Sequence, residues 1–443
     1  MAVSTEYAPG ALQQRNLALF SFLRGAENVI IFLAILYYTG AIGGLLFVDL
    51  SNLENESPAA RLMWYPIYIA TLALSVRILP QLIRIVTFNP LIVLCVLWCG
   101  VSIFWSIDAA VSMRRAVALL MTTLMGLFLA ARYDWSGFVQ RLGFAFSALV
   151  VIVFLVVLID PQRGISQEIH VGAWRGPWTE KNYLGSQMTR GLVIMMCAFA
   201  MRPDRGWFWI PMGGLCLLLV LLSTSKTALL ACLLAISMFL FIRFYRRYPV
   251  LRVLLVYLLF TGIAIFVTLA IFIPGELLAL IGKDPTLTGR TDIWDALVLS
   301  IKEKPWLGFG YGVYWLDLLG PSYYVRLSLQ WGVPTAHNGW IETWLSVGAV
   351  GVILFAVLYV WTFVLAIMRL KRGGTETYWA IIISLTFLVF SLSESSVLQQ
   401  NDLSWVIFVA TTAKLFAFER PFWRDRVSQN YFTQIIPTMI SRK

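Results

Sequence analysis

The sequence is poor in charge and in histidine. Of its 443 residues only 13% are charged and only two are histidine, whereas soluble globular chains carry about 25% charged residues. No Asp-x-Asp pair occurs, so there is no paired-aspartate motif for a divalent cation. The five cysteines, Cys95, Cys99, Cys197, Cys216 and Cys232, all lie within apolar runs. None stands in an outer loop where an oxidising compartment would favour a disulfide, so they read as small packing residues. The first 28 residues are polar and lack a short apolar core with a small-residue cleavage site. A cleaved signal peptide is therefore not expected, and the first apolar run should remain as an anchor. No repeat, low-complexity linker or terminal soluble domain is visible.

Apolar surface is what the chain has in abundance. It is 59% hydrophobic and 14% aromatic, with mean hydropathy +0.78. No soluble domain of this length hides that much, so the bilayer is its solvent. A spanning helix needs about 20 mostly apolar residues. Runs of that kind centre on 29–48, 63–79, 90–105, 116–131, 142–159, 184–201, 207–222, 227–244, 253–273, 339–368, 378–393 and 403–418. The expected fold is an all-α polytopic membrane protein, residues 1–443 forming one integral membrane domain of about twelve spans. Pro80 and Pro90 make the early spans short or interrupted.

The net charge of +11 would suggest nucleic acid in a soluble protein. Partitioned over the loops it reports topology instead. The set of segments that includes both termini holds 20 basic and 7 acidic residues, the other set 12 and 15. Lys and Arg collect on the cytoplasmic side, so both termini are expected there and no nucleic-acid partner is implied.

The outer side holds the two long loops, 160–183 and 274–338, and long ordered loops tend to carry function. Within the second, an amphipathic helix is expected over about 292–304, capped by Thr291 and ended by Pro305. Its apolar face, Ile293, Trp294, Leu297 and Ile301, could lie along the membrane interface. Arg290 beside its start suits an anion, or a structural ion pair to Asp292 or Asp295. Pro305-Trp306-Leu307-Gly308-Phe309-Gly310-Tyr311-Gly312 is a glycine-punctuated turn whose aromatic faces suit sugar rings. His337, in Ala336-His337-Asn338-Gly339-Trp340, is a candidate for proton transfer near neutrality, or a helix-end cap. His170 reads as structural. The shorter loop offers Trp174-Arg175-Gly176-Pro177-Trp178-Thr179-Glu180-Lys181-Asn182-Tyr183. Arg190 stands about 10–12 Å deeper at 1.5 Å per residue, a functional charge within a span or one that snorkels outward. Lys226 follows Ser223-Thr224-Ser225. Arg175, Lys181, Arg190, Lys226 and Arg290 together suggest an anionic, lipid-linked, sugar-bearing ligand.

These residues, in this order, resemble the O-antigen ligase/Wzy polymerase superfamily of bacterial polysaccharide assembly. The resemblance rests on the Arg175–Asn182 segment, Ser225-Lys226-Thr227, Thr288-Gly289-Arg290 with Ile293-Trp294, Lys304 to Gly310, and His337 with Gly348. The local variants look most like exopolysaccharide polymerases of the ExoQ type, although many relatives carry Arg where Lys226 stands. The resemblance implies a GT-C glycosyltransferase of the inner membrane, inverting and independent of metal or other cofactor, with its site in the large periplasmic loop. It implies His337 as base or orienting group, and Arg290 and Arg175 holding the pyrophosphate of an undecaprenyl-linked oligosaccharide. Arg190, Lys181 and Lys226 would add positive charge, and Asn182, Asn338, Trp178 and Trp294 would support substrate and loop. Membrane lipid and other polysaccharide-assembly proteins are the implied partners.

Three rival readings remain at this point. A ligase would use the same donor and a lipid A-core acceptor. A metal-dependent GT-C enzyme would use Glu54-Asn55-Glu56 in the first outer loop. A lipid-glycan transporter would place its ionisable residues near the midplane, where the sequence puts only Arg190, Glu342 and Lys414.

Overall fold

The computed structural model describes residues 11–47, 58–167, 170–259, 261–262, 290–316, 320–330, 332–371 and 373–417. Among these the chain is helical wherever it is regular, apart from an isolated bridge between Ile165 and Trp174. Among the described residues eight helices are long and apolar enough to cross a membrane, and a bent pair, Leu79–Phe88 with Pro90–Trp105, makes up to nine. Shorter apolar helices cover Pro249–Leu259, Glu376–Ser391 and Leu403–Phe416. An apolar helix thus stands at each described place where hydropathy calls for one, while most of the expected 253–273 span lies outside the described residues, and the chain is a multi-pass all-α membrane protein. The prolines act as starts, because the missing N–H costs nothing in a first turn. Pro80 opens Leu79–Phe88 and Pro90 opens the next helix, and the pair turns through 89° at Asn89. Glu54-Asn55-Glu56, residues 274–289 and the C-terminal tail lie outside the described residues.

Lys181–Met201 is the central helix: 78% of its apolar window is buried, against 17% for Ala59–Val76. Small residues let its neighbours close in. A Cβ on Gly185 would stand 2.7 Å from Ala228, and one on Gly191 2.8 Å from Cys216. All five cysteines are buried, with free thiols. Contacts of Lys181 with Thr224, of Arg290 with Glu394 and of Gly339 with Glu394 bring residues 170–181, 223–225, 332–339 and 392–402 together at one end of the bundle. At the other end Glu27 accepts from Arg132 Nε at 2.7 Å and Tyr133 Oη at 2.8 Å, with Arg77 at 3.9 Å.

The described part of the large loop folds on its own small core. Its helix runs Arg290–Glu303, so Thr291 lies inside the first turn instead of capping it. Ile293 and Leu297 pack with Phe309, Tyr314, Val325, Val333, Ala336 and Leu345, while Trp294 and Ile301 flank them. The apolar stripe read as a membrane-interface face is used here, because the loop supplies a partner surface of its own.

Candidate functional site

His337 ends an extended stretch just before the Gly339–Met368 helix. Ala336, ahead of it, is fully buried and held at both main-chain polar atoms. Its N–H donates to Glu342 Oε2 at 3.0 Å, and its carbonyl accepts from Trp294 Nε1 at 2.9 Å. Glu342 is itself fixed by Trp315 Nε1, 2.9 and 3.1 Å from its two oxygens. On the other side, Asn338 Oδ1 accepts from the N–H groups of Trp340 and Ile341 at 2.9 and 3.2 Å and caps the helix. Between these clamps His337 takes φ +47°, a left-handed conformation costing a non-glycine residue about 1–3 kcal/mol unless its surroundings impose it. In this structure Asn338 and Trp294 serve the backbone around the histidine.

Ten residues on from the histidine's neighbour, Gly348 breaks the helix at φ +72°, ψ −175°. The groups freed by the break pair with the glycine-rich turn. Phe309 and Gly310 donate to the carbonyls of Leu345 and Ser346 at 2.8 and 3.0 Å, and Ala349 donates to Pro305 at 2.9 Å. A Cβ on Gly348 would lie 2.0 Å from the Trp306 carbonyl oxygen, so only glycine fits. The sugar-stacking role expected of this turn is corrected accordingly. Phe309 and Tyr311 are buried, and of the turn's aromatics Trp306 alone stays well exposed.

Arg290, the first residue of its helix, forms an ion pair with Glu394 at 3.8 Å, and its charge acts on His337 and on Glu180. Its ion-pair partner is thus neither Asp292 nor Asp295 but a carboxylate from the loop joining the Glu376–Ser391 and Leu403–Ala417 helices. Burial, then the charge of Arg290, push the His337 imidazole down to about 4. At neutral pH it is uncharged and offers an acceptor nitrogen. Burial pushes Glu394 up to about 7, with Arg290 and Arg190 opposing and Glu180 assisting. Glu180 is raised as well, by burial, with Arg290 opposing. Arg190 sits deeper, 7% exposed, with Phe390's ring 5.3 Å from its guanidinium. It is neither snorkelled nor open to a large ligand, since the cavity beside it holds about 10 Å³, about one water. It acts on the cluster through charge, with Asp402 and Glu394 as its partners.

The other cations fall into two further places. Lys181 Nζ donates to Thr224 Oγ1 at 3.2 Å, and its charge acts on Lys226 and His170. Asn182 Oδ1 accepts from Ser225 Oγ at 2.9 Å, tying the same two helix starts together. Because Glu180 belongs to the Arg290 group and Lys181 to this one, the groups adjoin. Arg175 stands apart. Its guanidinium donates to the carbonyls of Arg163, Gln162 and Thr179 at 2.9, 3.1 and 3.4 Å, so it holds its own loop together. Trp178 is buried, its Nε1 donating to the Thr39 carbonyl at 2.9 Å. Glu394 and Asp402, which reading the sequence passed over, and Glu180, which it quoted without a role, complete this charged group. Their only sequence signal was that they are carboxylates kept in outer loops.

Comparison with known proteins bears on the same elements. A family model described as O-antigen ligase matches residues 212–356, from the Lys226 turn through Arg290 and His337 to Gly348. The exopolysaccharide production protein ExoQ of Rhizobium meliloti (strain 1021) is 26% identical over 306 residues, covering 66% of this chain and 68% of that protein. Over these residues the chain is similar to the O-antigen ligase family, and over about two thirds of its length it is similar to ExoQ.

Proposed function

We propose that the protein is a glycosyltransferase that polymerises lipid-linked polysaccharide repeats. The donor is a growing glycan on undecaprenyl pyrophosphate, and the acceptor is a hydroxyl of another lipid-linked repeat. The observation that carries this reading is the meeting of His337, Arg290 and Glu394 from three separate segments at one end of the bundle. Attack of the hydroxyl on the anomeric carbon, from the face opposite the pyrophosphate, inverts that centre. Negative charge then grows on the leaving pyrophosphate. A preplaced guanidinium stabilises that charge most strongly at the transition state, and Arg290 stands beside the imidazole that would face the hydroxyl. Lys181 and Lys226 adjoin and extend the positive surface for lipid-linked phosphates. Arg175, held by three carbonyls, contributes by shaping the loop.

On this reading the protein lies in the bacterial inner membrane, with its site at the periplasmic face and both termini in the cytoplasm. The positive balance of one set of loops supports that orientation. The likeness to a protein of exopolysaccharide production favours the polymerase, and the matched family description favours a ligase as second reading. Reconstitution with undecaprenyl-pyrophosphate oligosaccharide alone separates them. Longer lipid-linked chains are expected, and product only after addition of lipid A-core would make it a ligase. Turnover that survives EDTA is the expected outcome for a metal-independent transfer, and loss restored by Mg²⁺ would overturn that part.

A further inference from the structure

The guanidinium of Arg290 has the His337 imidazole and the Glu394 carboxylate as neighbours, and these two groups differ in what they can do with a proton. Glu394 comes from the 392–402 loop, which is pinned against the reaction end. The Tyr311 hydroxyl donates to the Leu398 carbonyl at 2.6 Å, and Tyr68 Oη donates to Asn401 Oδ1 at the same distance. A Cβ on Gly339, at the head of the histidine's helix, would meet the Glu394 carbonyl oxygen at 3.2 Å. The loop therefore lies directly against the His337 turn. At 3.8 Å the Arg290–Glu394 contact is an ion pair without a hydrogen bond. Among the described residues no N–H or O–H donates to the Glu394 carboxylate, which is 22% exposed. Toward the described residues its oxygens keep lone pairs that an incoming hydroxyl can use.

From this geometry we infer that Glu394 is a catalytic residue, the group that takes the proton of the acceptor hydroxyl, while His337 orients that hydroxyl. The inference rests on the glycosyl-transfer reading above. As the new bond forms between the acceptor oxygen and the anomeric carbon, the hydroxyl proton passes to Glu394. The bond from that carbon to the pyrophosphate oxygen breaks, and its electron pair leaves with the pyrophosphate beside Arg290. Glu394 afterwards gives its proton to the released pyrophosphate or to water, so atoms and charge balance.

The protonation chemistry supports this division of labour. A base works best when its pKa lies near the working pH. Burial pushes Glu394 up to about 7, whereas burial and Arg290 hold His337 at about 4, too weak to draw off a hydroxyl proton efficiently. The charged and titratable groups facing Glu394 are Arg290, Glu180, Arg190 and Tyr183, and Asp402 acts on Arg190 from the same loop. Both candidate bases are active when deprotonated, so activity falls as pH falls through the pKa of the group that acts. An acid limb near 7 belongs to Glu394 and one near 4 to His337.

The test compares kcat and donor KM across pH for the full-length wild type, Glu394→Gln and Glu394→Asp, each reconstituted with undecaprenyl-pyrophosphate oligosaccharide. Glu394→Gln should lose about 10²–10⁴ in kcat, keep donor KM within severalfold and lose the limb near 7. Glu394→Asp, which retains a carboxylate, should be slower yet keep the limb, and it guards against a misfolded glutamine variant. A Glu394→Gln protein that keeps the limb and loses only donor KM would reduce Glu394 to a counter-ion of Arg290. A kcat within tenfold of wild type would overturn the inference outright. If the wild type lengthens no lipid-linked chain, the polymerase reading fails separately, and the same comparison is made with lipid A-core as acceptor.

Discussion

Two clusters of paired charges sit at the two ends of the bundle and are built differently. At one end Glu27, 6% exposed, is saturated by the Arg132 guanidinium and the Tyr133 hydroxyl, with Arg77 close by. Lys414 closes the same corner by donating to the Tyr133 carbonyl, and Arg141 stacks 3.6 Å from the Tyr133 ring centroid. At the other end Arg290 and Glu394 stand 3.8 Å apart, 18% and 22% exposed, with Glu180, Arg190 and His337 in electrostatic reach. In the first cluster both oxygens of Glu27 accept internally, as a buried charge must. The second keeps capacity in reserve, its guanidinium and carboxylate paired without a hydrogen bond. On the proposed reading, the difference separates scaffold from chemistry among residues that look alike in sequence.

The comparison breaks most visibly at its scaffold half. Glu27→Ala leaves Arg132 and the Tyr133 hydroxyl without their partner and should destabilise the protein by about 3 kcal/mol, at the lower end of the cost of breaking a buried pair. Thermal unfolding in detergent should show a clear drop in Tm, with kcat per folded molecule unchanged. A selective fall in kcat would mean that this end takes part in turnover. His337→Ala should do the reverse, lowering kcat by about 10²-fold or more with Tm held or raised, because alanine removes a side chain and leaves the clamped turn in place. Arg175→Ala sharpens the comparison by a smaller effect. The arginine lies at the site end but is bonded as the scaffold is, so its loss should cost about 1–2 kcal/mol of stability. Donor KM should change less than threefold; a large rise in KM would return Arg175 to the pyrophosphate.

Spans were legible in the sequence because a membrane helix must satisfy its backbone internally over a fixed length. The pairing of His337 with Gly348 was legible through family resemblance, and the structure supplies its physical cause. Glycine alone admits the Trp306 carbonyl at the helix break, and that break docks the 305–312 turn against the helix that His337 precedes. The amphipathic stripe of the Arg290 helix was read correctly as apolar, but its destination was not, because periodicity shows that a face is buried and never against what. Arg175 looked like Arg290 because composition does not reveal whether a guanidinium meets carbonyls or open space. Glu394 and Glu180 could not be found from spacing. Each stands about a hundred residues from Arg290 in the chain, and only the packing of helices brings the three together.

The central claim is that the loosely paired cluster around Arg290 is where the pyrophosphate leaves. It is tested most directly by single-turnover transfer from saturating undecaprenyl-pyrophosphate oligosaccharide, comparing the wild type with Arg290→Ala and following Tm alongside. Removing one preplaced charge from a developing anion costs about 10²–10³ in rate. The account predicts a loss of that size with Tm essentially unchanged. Transfer at near wild-type rate, or a loss that tracks unfolding, would contradict it.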